Sequence, residues 1–160
     1  MFAIRAVVAA AFPDSGEASL VDALRSTARP FLSLVAELEG EVVGHIAFTP
    51  LAFDPMSSRD RLALGLAPLS VAPAHRRSGI GRALVEAGID ASREIGADVV
   101  VVLGDPGYYA RFGFEPASSL HLRCAYDAPA EAFQALVLKA FEVRPAMTSV
   151  LFRPEFDAFA

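Results

Sequence analysis

Ser70-Val71-Ala72-Pro73-Ala74-His75-Arg76-Arg77-Ser78-Gly79-Ile80-Gly81-Arg82 is the stretch on which the reading of this chain turns. An apolar, β-prone run ends in it, a basic turn carrying two glycines follows, and an amphipathic helix begins at its far side. Glycines one residue apart let the backbone approach a ligand with no Cβ in the way. The first N–H groups of the helix have no intrahelical partner and carry a partial positive charge, so the turn is suited to an anion. Arg76, Arg77 and Arg82 add full charges to a chain whose formal net charge is -5. A basic island on an acidic chain predicts a specific anionic ligand, and a phosphate-bearing cofactor answers that description.

Two familiar phosphate loops do not fit. A P-loop needs Lys and a hydroxyl residue after its last glycine, and Gly81 is followed by Arg82-Ala83. The dinucleotide fingerprint accepts Gly79 and Gly81 but meets Leu84 at its third position. What remains is R-x-x-G-x-G from Arg76 to Gly81 at a strand-to-helix junction.

At 160 residues, 54% hydrophobic and 21% charged, the chain has the makeup of one compact domain spanning 1–160. Its negative charge excludes the extended basic face of a general nucleic-acid binder. Cys124 is the single cysteine, so no intrachain disulfide forms, and it reads as a small buried apolar residue. His45, His75 and His121 are separated in sequence, and nothing argues for a metal. No apolar run reaches membrane-spanning length, and Met1 to Phe12 lacks the cleavage region of a signal peptide. A cytoplasmic chain with no membrane partner is expected.

Along the chain, Ile4, Val7, Val8, Ala11 and Phe12 mark a first amphipathic helix. Asp14 and Glu17 have capping-box spacing before a second, with Leu20, Val21, Leu24 and Ala28 on its inner face. Leu32–Leu38, the turn Glu39-Gly40-Glu41 and Val42–Phe53 read as a hairpin, followed by a polar loop over Asp54–Asp60. Leu62–Val71 is a strand; Pro68 inside it marks a bulge or ends the strand early. Gly79–Ile95 is a helix with inner residues Ile80, Ala83, Leu84, Ala87, Ala91 and Ile95, closed by Gly96. Gly88 within it costs about 1 kcal/mol relative to Ala unless close packing offsets it. The four valines of Asp98–Leu103 predict a strand buried on both faces and parallel to its neighbour. A short helix over Pro106–Phe112, a strand from Phe114 towards Cys124, one helical turn at Pro129–Phe133 and a last strand at Thr148–Phe152 complete the pattern, with Gln134–Phe141 ambiguous.

A second motif lies in Leu103-Gly104-Asp105-Pro106-Gly107-Tyr108-Tyr109-Ala110-Arg111-Phe112-Gly113-Phe114, where Tyr109 stands four residues before the glycine of a Gly-Phe pair. R-x-x-G-x-G followed, one helix and one strand later, by this segment resembles the GCN5-related N-acetyltransferase (GNAT) superfamily. Gly44-His45-Ile46-Ala47-Phe48 and the Pro-x-Phe ending at Phe156 are similar to its YhbS-like branch. The resemblance covers residues 17–157.

That resemblance implies an α/β GNAT-like domain: a mixed, mostly antiparallel twisted sheet with a splayed central parallel strand pair and helices on both faces. The chain opens almost directly in a helix, so the family's first edge strand is either missing or lies upstream. It implies acetyl-CoA as co-substrate and no metal. Arg76, Arg77, Ser78, Gly79, Ile80, Gly81 and Arg82 would hold the pyrophosphate; Leu69, Ser70 and Val71 would line the pantetheine arm, Leu69 and Val71 through their main chains. Tyr109 would be the general acid, with Tyr108 as packing or substrate wall. The activity implied is N-acetylation of a primary amine of a small molecule or peptide by direct attack in a ternary complex. A non-catalytic acyl-CoA-binding module and an acyltransferase preferring a longer acyl group are the alternatives. The general base is His45, Asp105 or water. The acceptor pocket would come from the first two helices, the Asp54–Asp60 loop and the C-terminal strands, and a homodimer is admitted.

Overall fold

A computed structural model describes residues 1–160 except 15, 58, 59, 61, 140 and 160. In chain order the elements are α1 (Phe2–Ala11), α2 (Gly16–Thr27), β1 (Leu32–Leu38), β2 (Glu41–Pro50), β3 (Ala52–Asp54), β4 (Ala63–Val71), α3 (Ile80–Glu94), β5 (Val99–Leu103), α4 (Pro106–Tyr109), β6 (Glu115–Pro116), β7 (Leu122–Cys124), β8 (Phe133–Val137) and β9 (Thr148–Leu151). They fall into two compact units: Met1–Thr49 with Ala67–Ala91, and Pro50–Leu66 with Ser92–Ala160.

In the first unit β1 and β2 form an antiparallel hairpin from Leu32↔Phe48 to Leu38↔Glu41. Its turn residues Glu39 (φ 52°) and Gly40 (φ 82°) both take left-handed conformations, which match the twist of the flanking strands. The strand order is β1-β2-β4, which leaves β1 at the sheet edge; the described chain reaches it through α1 and α2 with no strand ahead of them. Val7 and Val8 of α1 are buried against Ala18 and Val21 of α2, and Ile4 and Phe12 pack on the same cluster, as their spacing predicts. Leu20, Val21, Leu24 and Ala28 are buried as expected. Asp14 accepts the Gly16 N–H at 3.1 Å, giving α2 its start signal.

Helix α3 buries a different stripe from the expected one. Leu84, Val85, Gly88 and Ile89 face inward, whereas Ala83 and Ala87 are exposed. The reason is the close fit of Gly88 on β2: a Cβ there would come within 2.3 Å of the Phe48 ring. A Cβ on Gly44 of β2 would likewise meet Leu84 Cδ1 at 2.8 Å and Ile80 Cγ2 at 2.9 Å. Two glycines thus let strand and helix come close, and the helix rotates to bury its smallest residue rather than its alanines.

In the second unit the order is β4-β5-β8-β6, with a second sheet β3-β9-β7. β4 and β5 are parallel only from Ala63↔Val99 to Gly65↔Val101, and β5 pairs antiparallel with β8 over its whole length. Val99, Val100, Val101 and Val102 are at most 1% exposed, as a strand covered on both faces requires. Pairing with β5 stops three residues before Pro68, which is the splay expected of this strand pair. The β2–β4 ladder also takes up an extra residue. Val43 accepts from Ala72, and Leu51 donates to Ala63, so residues 43–51 on one side match residues 63–72, one more, on the other. Strand β4 runs on through Pro68 to Val71, so the proline does not end it early.

Two expected strands are broken. Val42–Phe53 ends at Pro50, and its tail becomes β3, paired with β9 in the second sheet. The run from Phe114 to Cys124 splits into β6 and β7, in different sheets, around a 3₁₀ turn over Ala117–Leu120. Pro50 and Pro116 have no N–H to continue a ladder, and the chain changes sheet just after each. Of the ambiguous Gln134–Phe141, the part up to Val137 belongs to β8, and the described residues after it are in no helix or strand. Phe53, Val99, Val101, Leu122, Phe133 and Val150 form the core between the two sheets. Cys124 packs against this core, and burial pushes its thiol pKa up, so it is a protonated packing residue.

Candidate functional site

The turn ahead of α3 has the backbone of an anion cradle. Gly79 has φ 86° and Arg77 φ 59°, two left-handed residues flanking Ser78. Such alternation curls successive N–H groups towards one side. The Ser78 hydroxyl donates to the His75 carbonyl and closes the turn. The helix ladder starts with Ala83 N–H donating to Gly79 at 3.0 Å, and among the described residues the N–H groups of Ile80, Gly81 and Arg82 ahead of it meet no acceptor. Among the described residues, its two chain neighbours aside, none lies within 4 Å of where a Cβ on Gly79 would project. The open space and the left-handed φ together mark this as a place where backbone faces outward.

The three arginines divide in a way the sequence does not show. Arg76 donates from Nη2 to the carbonyl of Ala11 at 2.9 Å, tying the turn to the last residue of α1. Arg82 pairs with Glu86 at 2.9 Å on the exposed face of α3. Arg77 is exposed, and among the described residues its guanidinium has no partner. On β4, Leu69 and Val71 are half-buried, whereas Ser70 is 1% exposed and its Oγ meets no partner among the described residues.

In the second unit, β5 leads through Leu103 and Gly104 into α4. Asp105 caps the helix: its Oδ1 accepts the Gly107 N–H at 2.9 Å, and its carbonyl accepts from Tyr108 and Tyr109 at 3.1 Å. Pro106 takes the first helical position, where no N–H is needed. Gly113, at φ 92°, ends the following 3₁₀ turn. Tyr109 is thereby held with its ring edge-on to Tyr108 (5.0 Å) and to Phe114 (5.6 Å). It is buried, and burial, helped by neighbouring Tyr108, pushes its pKa up to about 12. The phenol therefore keeps its proton across the neutral range. Tyr108 is half-buried with the Arg111 guanidinium 4.8 Å above its ring.

The two side chains expected as bases have other occupations. His45 is 0% exposed, its Nε2 lies 2.8 Å from Ser33 Oγ, and burial, reinforced by Arg25, lowers its pKa to about 4. Asp105 is engaged as the helix cap. Among the described residues no cluster of His, Cys, Asp and Glu could hold a metal ion, and no helix is long and apolar enough to cross a membrane.

A family model for the acetyltransferase (GNAT) family matches residues 2–114. The chain belongs to this family. Among GNAT proteins it is 41% identical over 132 residues to YhbS, an uncharacterised N-acetyltransferase of Escherichia coli strain K12, covering 82% of this chain and 77% of the relative. YjhQ, another uncharacterised N-acetyltransferase of that strain, is 39% identical over 145 residues, covering 89% and 80%. The crystal structure of E. coli YhbS in complex with CoA superposes with a TM-score of 0.87 at 35% identity, over 99% of this chain and 87% of that one. A GNAT acetyltransferase from Brucella melitensis in complex with acetyl-CoA gives 0.76 at 36% identity, over 98% and 91%. The chain sits in the YhbS-like branch.

Proposed function

We propose that this protein transfers the acetyl group of acetyl-CoA to a primary amine of a small molecule or peptide within a ternary complex. The observation that carries the reading is the turn before α3, where left-handed Arg77 and Gly79 present backbone N–H groups to open space beside a guanidinium that has no partner among the described residues. That is the chemistry a pyrophosphate needs. The complexes of YhbS with CoA and of the Brucella enzyme with acetyl-CoA support the same ligand.

In this reading the N–H groups from Ser78 to Arg82 take the pyrophosphate oxygens, Arg77 supplies charge, and Arg76 fixes the turn. The stretch of β4 from Leu69 to Val71, which lies past the end of its pairing with β5, hydrogen-bonds the pantetheine arm, and one of its N–H groups polarises the thioester carbonyl. The amine nitrogen bonds to the thioester carbon as the C–S bond breaks. Tyr109 gives its phenolic proton to the departing sulfur and recovers one from solvent. The proton lost by the amine goes to water, because His45 is sealed and Asp105 is a cap.

The test is a panel of primary amines with acetyl-CoA, following free thiol and the mass of the acceptor. The expected result is thiol release matched one-to-one by an acetylated amine. Thiol release that no amine raises above slow hydrolysis, in protein that binds acetyl-CoA, would instead favour a non-catalytic acyl-CoA-binding module.

A further inference from the structure

Strand β1 lies at the edge of its sheet, and among the described residues no backbone hydrogen bond joins it to any segment other than β2. Every second residue along it therefore turns its N–H and C=O outward. Such an edge is a template for another strand unless proline, lysine or a bulge blunts it. β1 is seven residues long, Leu32-Ser33-Leu34-Val35-Ala36-Glu37-Leu38, with no proline or lysine. The irregularity in its pairing, between Ala36 and Glu37, takes its extra residue, Val43, from β2. Val35 is 44% exposed and Leu38 48%.

The strand is complementary to itself. Turned end for end about Val35, it sets Leu32 against Leu38, Leu34 against Ala36 and Val35 against its own copy, and the remaining pair is Ser33 against Glu37. Directly opposed Cβ atoms of an antiparallel pair stand roughly 5 Å apart. Ser33, Val35 and Glu37 share one face, because side chains alternate along a strand. On that face Arg25 of α2 donates from Nη2 to Ser33 Oγ at 3.4 Å, and its guanidinium lies 5.3 Å from the Phe31 ring centroid. Among the described residues that guanidinium meets no carboxylate, and the exposed Glu37 meets no cation. Glu37 of a second copy, set opposite Ser33, comes to Arg25, and a two-fold axis repeats the pair on the other side.

We propose that β1 pairs antiparallel with β1 of a second copy of this chain, about a two-fold axis at Val35, so that the sheet continues from one copy into the other. In this register apolar residues meet apolar residues, and the charges that meet are opposite. Strand pairing alone makes a small interface, so the dimer forms reversibly with concentration. The proposal stands independently of the acetyl-transfer reading.

Sedimentation velocity of chain 1–160 across a concentration series tests it. A reversible monomer–dimer equilibrium is expected, with hydrogen exchange at the outward N–H groups of β1 slowing as the dimer fills. Val35→Lys sets two ammonium groups against each other at the axis and should weaken the dimer about tenfold or more. The position is already exposed, so the fold is kept. Glu37→Arg and Arg25→Glu should each weaken the dimer as well, because like charges then meet at both contacts. An equimolar mixture of the two variants restores opposite charges at both contacts and should recover the association. If Arg25→Glu does not fold, the Val35→Lys result decides alone. A wild-type monomer at every concentration, a dimer that Val35→Lys leaves intact, or a mixture of folded variants no more associated than either alone would each overturn the proposal.

Discussion

The ring of Tyr109 occupies the space that a side chain at position 104 would need: a Cβ on Gly104 would lie 2.6 Å from Tyr109 Cε2. The glycine that ends β5 is thus the seat of the tyrosine on α4. Gly104→Ala is expected to lower stability by about 1–3 kcal/mol, the usual cost of overpacking a filled site. It should also reduce turnover without changing acetyl-CoA affinity, since the ring must tilt away. Denaturant melts with steady-state kinetics check this, and a variant as stable and active as wild type would show that the ring has room to yield.

Tyr109→Phe keeps the packing against Tyr108 and Phe114 and deletes only the proton donor. Turnover should fall roughly a hundredfold or more, within the range of a positioned acid, while acetyl-CoA binds as before. Tyr108→Phe serves as the control and should be nearly silent. Equal turnover of Tyr109→Phe and wild type, with chemistry rate-limiting, would make Tyr109 a packing residue.

Gly88→Ala reverses the ordinary rule. Exchanging an internal helix glycine for alanine usually stabilises by about 1 kcal/mol, but here the new Cβ would fall 2.3 Å from the Phe48 ring. A net loss of about 1–3 kcal/mol is expected. The double variant Gly88→Ala with Phe48→Leu should recover part of it, and urea melts of the single and double variants measure both effects.

His45 makes stability depend on pH. Its pKa is about 4 in the fold and 6.5 in the unfolded chain, so between these values the unfolded state takes up a proton that the folded state refuses. The contribution is complete above pH 6.5 and is lost as pH falls towards 4, at up to about 1.4 kcal/mol per pH unit and about 3 kcal/mol in all. Other groups titrate in the same window, so the reading is the difference between wild type and His45→Gln. The variant should show a flatter fall between pH 6.5 and 4.5, and parallel curves would contradict the assignment.

The parts of the fold legible in the sequence are those where one physical signal dominates. Four valines in a row leave β5 no solvent face, and Glu39-Gly40 permits the left-handed turn of the first hairpin. The α3 stripe was not legible, because Gly88 reads as a helix-weakening residue until Phe48 is placed over it. Pro50 and Pro116 announce an interruption but not that the chain changes sheet there, which depends on partners far away in sequence. In the candidate site, the turn and Tyr109 follow from local motifs. The separation of Arg77 from Arg76 and Arg82 does not, since it rests on the carbonyl of Ala11 and on Glu86. His45 looked like a base because of its residue type; its burial and its hydrogen bond to Ser33, twelve residues away, make it a neutral structural group.

Binding of acetyl-CoA, read by thermal unfolding of wild type and Gly79→Val across a cofactor titration, tests the central claim most directly. At one hundred times its dissociation constant the ligand adds about 2.7 kcal/mol to wild-type stability, which raises Tm by roughly 5–10 °C for a chain of this size. Gly79→Val, which puts a branched side chain at φ 86° into the open space before α3, should lose most of that shift while still unfolding cooperatively. A wild-type Tm unmoved by millimolar acetyl-CoA, or a Gly79→Val variant shifted as far as wild type, would contradict the assignment of this turn as the pyrophosphate site.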